Sequence, residues 1–365
     1  MTSSLRRHDS PPAGSADSAP QAPRPRGGLT ARWRALPVLV RHLVAALLAL
    51  AAVAVLVHYL PSPLDQFRVA KVGYLMLAIA GLQLLVGYSG QISLGHGAFM
   101  FVGAYTAALI VLHLPMVPLA GIMVTAVVVG CLAGILVGAA TARLHGPYLA
   151  GATLALAVGL PSLALRFSDV LGGANGLNFT FRGAPPEVSH LVTSTNHWKA
   201  LVIWLTVLLA MVVLATLSRG RLGRRLRAIR DDEAAAAMAG IPVGRTKVVA
   251  FVVSAGCGSL AGACEFYLMG TATPSSFTPA LSLTLLAALV LGGLGSLWGA
   301  LWGALAVVYF ELAGEEVAHA LGLSSSVADN LPVVSFGVLL VVIVMAWPMG
   351  VQGALRRLGA ALRRR

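Results

Sequence analysis

The sequence predicts an all-α polytopic membrane protein of about ten transmembrane helices, some of them broken or re-entrant. Three observations carry this reading. Of 365 residues, 58% are hydrophobic and 11% are charged, with a mean hydropathy of +0.84; soluble domains carry about 25% charged residues. Apolar runs near ~20 residues, the length that spans a bilayer as helix, recur along the whole chain. Finally, residues 87–106, GYSGQISLGHGAFMFVGAYT, interrupt that pattern with Gly87, Gly90, Gly95, Gly97 and Gly103 and with polar Ser89, Gln91, Ser93, His96 and Thr106. Glycine weakens a helix by about 1 kcal/mol relative to alanine, and an unpaired polar group in hydrocarbon costs several more. A membrane chain keeps such a stretch only where protein shields it or where it lines a wet path.

Residues 1–35 are rich in Ser, Pro, Ala and Arg without apolar periodicity, which reads as a disordered basic cytoplasmic tail. The tail does not resemble a cleaved signal peptide, because the first apolar stretch starts near Leu36 and is long enough to stay in the membrane. Apolar segments follow at 38–60, 69–88, 97–113, 117–142, 147–167, 199–217, 248–269, 279–292, 297–314 and 331–348. Glycines interrupt 87–97 and 279–300, so either can be a broken or re-entrant helix. Residues 36–350 then form one transmembrane domain, and 351–365 a basic cytoplasmic tail.

The formal net charge of +13 is concentrated in the N-terminal tail, in Arg219–Arg230 and in the last residues from Arg356 to Arg365. By the positive-inside rule both termini are cytoplasmic and the span count is even. Ten spans put 219–247, Arg143 and His145 inside, with 168–198 and 315–329 outside. A pI near 10.6 also raises nucleic-acid binding. The basic runs are separated by membrane-length apolar segments, which excludes it. Cys131, Cys257 and Cys264 lie in apolar segments and form no CxxC pair, so they suggest neither a metal site nor a disulfide framework.

Residues 218–247, SRGRLGRRLRAIRDDEAAAAMAGIPVGRTK, have two parts. Leu222, Leu226 and Ile229 recur at i, i+4, i+7 among arginines, the pattern of an amphipathic surface helix. Asp231 is then expected to cap a second, short helix through its side-chain oxygen. Asp232 and Glu233 favour the positive end of its dipole, Ala234–Ala237 and Met238 propagate it, and Gly240 followed by Pro242 ends it. The small alanine face around Ala235 and the single Met238 knob suit docking into a groove on another protein.

Several chemistries are missing. No lysine follows a glycine, so a GxxxxGK[ST] phosphate loop is absent, as are HExxH and GxSxG. ATP, if it drives this protein, is bound by a partner. Glu265 and Glu311 fall near the expected ends of their spans and read as interfacial or interhelical partners rather than as the buried ion site of a coupled transporter.

Five stretches carry a resemblance. GYSGQISLGHGAFMFVGAY, RRLRAIRDDEAAAAMAGIPVGRTKVVAFVVSA, LVLGGLGSLWGALWGA, HGPYLAGATLALA and GGANGL resemble stretches of LivM-type permeases of branched-chain amino-acid ABC transporters, and their order along the chain is that of the family. The resemblance covers about Val69 to Gly350. Leu171, Ala300 and Trp347 depart from residues frequent in that family. It implies a fold similar to the vitamin B12-type ABC importer permease, in a bacterial cytoplasmic (inner) membrane. The chain would pair with a second homologous permease, two ATP-binding cassette subunits and an extracytoplasmic substrate-binding protein, with no cofactor and no catalysis of its own. It would move branched-chain or related small amino acids. Urea or short amides, and an ion-coupled secondary transporter, are the alternatives. A small zwitterion needs hydrogen-bond partners without a strong trap, and Ser89, Gly90, Gln91, Ser93, His96, Gly97 and Asn175 can offer them. Gln91 and His96 can equally brace a kink between helices. ATPase coupling falls to Arg230, Asp231, Asp232, Glu233, Ala235, Met238 and Gly240. The small-residue surface of 279–304 is expected to meet the second permease.

Overall fold

The structure is a computed structural model. It describes residues 37–141, 147–181, 183–187, 189–320 and 350–362, with single positions at 322, 337, 338, 341, 342 and 345. The expected N-terminal tail, Arg143 and His145 lie outside the described residues, as does nearly all of the span expected at 331–348.

Eight described helices are long and apolar enough to cross a membrane. They are α1 (Val38–Tyr59), α2 (Pro63–Tyr88), α3 (His96–His113), α4 (Leu119–Thr141), α5 (Pro147–Arg166), α6 (Thr195–Arg219), α9 (Val243–Met269) and α11 (Leu297–Ala320). Between them lie the short helices α7 (Arg221–Asp231) and α8 (Glu233–Met238) and the 14-residue apolar helix α10 (Pro279–Gly292). A last helix, α12 (Gly350–Leu362), occupies most of the segment expected to be a tail. The loop expected at 315–329 begins inside α11, which runs to Ala320. Two-residue strands β1 (Leu177–Asn178) and β2 (Thr271–Ala272) pair antiparallel beyond the end of α9.

The core is built on α2 and α9. From Val69 to Leu82 all residues of α2 except Lys71 are buried, as in a helix apolar all round and enclosed by others. Glycines let α9 approach its neighbours closely. Gly130, Gly134 and Gly138 of α4, spaced by four, face Ser259, Ala255 and Phe251 of α9. On the other side Gly103 of α3 abuts the Ser259 backbone, and Gly262 abuts Met100. In lipid, where burial of apolar surface supplies no drive between helices, such close contact is a main source of association. Ser259 Oγ adds a hydrogen bond to the Ala126 carbonyl (2.6 Å).

The expected role of 279–304 needs correction. A Cβ on Gly292 would meet the Gly299 backbone, and one on Gly303 would meet the Ala288 backbone. These glycines are used within the chain, to press α10 against α11, while Ala280, Leu283, Leu294, Trp298 and Trp302 of the same stretch are exposed.

Candidate functional site

The two glycine breaks meet. The last turns of α2 widen to a π-helix at Gln83–Tyr88, a form that recurs at functional sites. Gly90 (φ 73°) then turns the chain, with the Gln91 N–H reaching back to the Leu85 carbonyl (3.2 Å). The second break, Gly293–Ser296 between α10 and α11, holds Gly293 (φ 109°) and Gly295 (φ 74°). Gln83 ties the two together: its Nε2 donates to the Gly293 carbonyl (2.7 Å), and its Oε1 accepts from the Gly295 N–H (2.9 Å). Sequence reading missed Gln83. The available signal was a lone amide deep in an apolar run, fully buried here.

The loop after α6 docks on the same place. In α7, Gly223, Leu226 and Ile229 are buried and Leu222 is partly so. Arg227 turns inward, over the Tyr88 ring (5.6 Å to the centroid) and to the Ser218 carbonyl (3.2 Å). Arg230 donates to the Gly87 carbonyl (2.8 Å). The side chain of Arg230 also packs against Gly90, whose Cβ would lie 3.0 Å from its Cγ.

The cap of α8 is Asp232, not Asp231. Asp232 Oδ1 accepts from the Ala235 N–H (2.9 Å), while Asp231 closes α7 and pairs with Arg230 (3.2 Å). The reason is register: α7 runs to Asp231, two residues past Ile229, which moves the extended capping residue to 232. The other end of α8 follows the expectation. Gly240 has φ 78°, its N–H bonds the Ala237 carbonyl (3.0 Å), and the Ile241 N–H bonds the Ala236 carbonyl (3.1 Å), which is a Schellman closure. Ala236 is buried, whereas Ala234, Ala235, Ala237 and Ala239 are exposed and Met238 is 84% exposed. Glu233 does more than favour the dipole, since its Oε2 pairs with Lys247 Nζ of α9 at 2.6 Å.

A cavity of about 310 Å³ opens where these parts join, walled by Ser89, Gly90 and Gln91 on one side and Arg230, Asp232 and Glu233 on the other, with Lys247 at its base. Thus three pathway candidates and four coupling candidates (Asp231 included) share one site. Within it Gln91 Nε2 donates to Ser89 Oγ (2.8 Å), and Ser89 Oγ donates to the Leu85 carbonyl (2.6 Å).

The remaining pathway candidates lie outside this cavity. Ser93 is buried, and its Oγ accepts weakly from the Gly95 N–H (3.4 Å). His96 faces Gly258, eleven residues and so about 16 Å beyond Lys247. Its ring is 1% exposed, and Nε2 has no hydrogen-bond partner among the described residues. The Gly97 N–H donates to Ser282 Oγ of α10 (2.9 Å). Asn175 is exposed at the far end, in the Gly173–Asn175 turn that precedes β1. The seven therefore do not form one pocket; they are strung from one end of α9 to the other. Among the described residues no group of three His, Cys, Asp or Glu could hold a metal ion. Glu311 is an interhelical partner, paired with Lys71 at 2.7 Å.

The packing at 96 gives a measurable contrast. In a background lacking Cys131, Cys257 and Cys264, Ile92→Cys (Ile92 is 50% exposed) should react readily with a small water-soluble thiol reagent. His96→Cys should react roughly tenfold more slowly or less, because labelling there requires local opening. Equal rates at rest would show that 96 lies on an already open path.

The family described as "Branched-chain amino acid transport system / permease component" matches residues 64–346. The high-affinity branched-chain amino acid transport system permease protein LivM of Escherichia coli (strain K12) is 33% identical over 264 residues, covering 64% of this chain and 60% of that protein. LivH of the same organism is 27% identical over 292 residues, covering 77% of this chain and 91% of LivH. The L-arabinose transport system permease protein AraH of that strain shares 36% identity over 91 residues, 25% of this chain and 27% of AraH. The chain thus spans well under two thirds of the LivM relatives it matches, and no solved structure matches it. With the family match spanning both glycine breaks and the loop that docks on them, this polytopic all-α membrane protein belongs to the family of permease components of branched-chain amino acid transport systems.

Proposed function

We propose that the chain is a membrane-spanning permease subunit of an ATP-driven importer, moving branched-chain or related small amino acids and depending on partners for ATP hydrolysis. The partners are a second homologous permease, two ATP-binding cassette subunits on the α7–α8 side, and an extracytoplasmic binding protein on the Asn175 side. Both termini are cytoplasmic in this reading. The observation that carries it is the junction at the 310 Å³ cavity: a capped surface helix with an exposed alanine and methionine face is tied to α9 through Glu233 and Lys247, the adjoining α7 holds the first glycine break through Arg230, and Gln83 joins that break to the second. Movement of α8 is transmitted through Lys247 to α9, and movement of the adjoining α7 through Arg230 to Gly87, where the chain lacks a regular helix to resist it. The path itself runs from Gln91 past His96 toward Asn175.

Reconstitution tests this directly. Proteoliposomes with the partner permease, the ATPases and the loaded binding protein should take up labelled leucine on addition of ATP, and the chain alone should be inert. Substrate-specific uptake by the chain alone would refute the reading, and uptake of urea or short amides but not leucine would replace its substrate.

Lys247→Met isolates the clamp. Its side chain is 9% exposed and that of Glu233 is 42% exposed. A fully exposed pair contributes ~0–1 kcal/mol and a broken buried pair costs about 3–5 kcal/mol. The half-exposed partner puts this one near ~1–2 kcal/mol on the same scales. Uptake should fall by about five- to thirtyfold at unchanged membrane abundance. A double-mutant cycle with Glu233→Gln should show coupling; additive losses would mean that the pair transmits nothing.

A further inference from the structure

A second cavity, of about 870 Å³, opens between α1, α2, α6, α7, α11 and α12 and reaches the second glycine break at Gly295 and Ser296. Its wall is apolar over most of its length. Along α1 the lining positions run from Arg41 and His42 through Ala45, Ala49 and Val53 to Leu56, one face of the helix. Fifteen residues of rise make it about 22 Å long, more than the roughly 15 Å depth of one leaflet's hydrocarbon.

One end is strongly basic. Arg41, Arg219, Arg227 and Arg356 line it together with His42, and no Asp or Glu is among its lining residues. Among the described residues no acidic side chain pairs with these arginines. Arg227 reaches a carbonyl and an aromatic face, Arg356 reaches Ser296 Oγ (3.1 Å), and His42 Nδ1 meets Thr216 Oγ1 (3.2 Å). Arg41 Nε and His42 Nε2 are shut off from solvent with no hydrogen-bond partner among the described residues. Positive charge held beside hydrocarbon is costly unless an anion matches it.

We propose that this cavity binds an anionic phospholipid, its phosphodiester among the four arginines and an acyl chain along α1 toward Leu56. A soluble anion satisfies only the basic end, and an apolar helix satisfies only the wall. A lipid with a charged headgroup satisfies both, and basic pockets between membrane helices are where such headgroups bind. In the orientation proposed above the arginines also lie at the leaflet that carries anionic lipid.

The test uses tryptophans already in the wall, Trp204 and Trp298. The full chain, with any partners that co-purify, is titrated in mixed micelles with phosphatidylglycerol or phosphatidylcholine bearing brominated acyl chains, and fluorescence quenching is read. Quenching by phosphatidylglycerol should saturate at a several-fold lower mole fraction. Arg41→Gln with Arg219→Gln should abolish that preference. Ala49→Phe, which blocks the channel and keeps every charge, should weaken quenching by phosphatidylglycerol. Millimolar inorganic phosphate should not displace the lipid. Equal quenching by the two lipids, a preference that survives the paired substitution, insensitivity to Ala49→Phe, or displacement by phosphate would each overturn the proposal. So would loss of quenching once a partner permease is bound, which would make the groove a helix interface. If the paired arginine variant fails to fold, the Ala49→Phe and phosphate arms still decide.

Discussion

Ala235→Glu is expected to reduce uptake and the stimulation of ATP hydrolysis by loaded binding protein severely, while the chain still inserts and folds. The side chain at 235 is exposed, while its backbone N–H donates to Asp232 Oδ1 and its carbonyl accepts from the Ala239 N–H (3.0 Å). A glutamate there can point to solvent in the free chain without disturbing either bond. In a docked assembly it would be pressed against a groove shaped for alanine, where an unpaired charge costs a few kcal/mol. Every 1.4 kcal/mol is about tenfold in binding, so hydrolysis and uptake should drop together by roughly tenfold to a hundredfold. Uptake and ATPase rates in proteoliposomes, normalised to permease content, provide the measurement. Normal coupling in Ala235→Glu would reduce α8 to a linker. Gly240→Val is the milder companion. Its φ of 78° penalises any side chain, yet a Cβ there meets nothing within 4 Å. The cost is therefore strain of order 1 kcal/mol, and the expected loss of coupling is partial.

How much of this was legible in the sequence depended on the range of the interaction. The α8 helix was readable almost to the residue, because caps, a positive-φ glycine and a following proline are local devices. The cap was misplaced from Asp232 to Asp231 because two adjacent aspartates satisfy the same rule, and only the length of α7 chooses between them. The polar break at 89–97 was visible as polar residues in an apolar setting, but its contact with 293–296 was not. That contact depends on Gln83 bridging about 210 residues of chain, as the docking of α7 on the first break depends on Arg230 bridging about 140, and no periodicity encodes either. The role of the glycines in 279–304 was misjudged for the same reason. A small-residue stripe shows that something comes close, while only the fold shows that α10 and α11 close on each other. The pathway candidates were chosen by residue type, and type does not reveal that Gln91 lies near one end of α9 and Asn175 beyond the other.

Gly103→Leu is expected to prevent folding altogether. An ideal Cβ at 103 falls on the carbonyl, carbonyl carbon and Cα of Ser259, and one at Gly262 falls on the same backbone atoms of Met100. The obstacle on each side is main chain, with no flexible side-chain tip to move aside, so α3 and α9 would have to separate. Overpacking a tight site costs typically about 1–3 kcal/mol where side chains can adjust, and here they cannot. The damage would also spread, because Ser259 is hydrogen-bonded to Ala126 and packed on Gly130, so a displaced α9 loosens α4 as well. The expected result is loss of monodisperse protein in detergent and degradation in the membrane, with Gly103→Ala intermediate and measurably lower in Tm. Gly151→Leu is the control: it lies in α5, and a Cβ there meets nothing within 4 Å. Its abundance and Tm should stay at the level of the natural chain, since replacing a helix-interior glycine by leucine favours the helix by up to about 1 kcal/mol. A Gly103→Leu chain that purified with an unchanged Tm would mean that α3 and α9 do not cross at Gly103 and Gly262, and the proposed path along α9 would lose its frame.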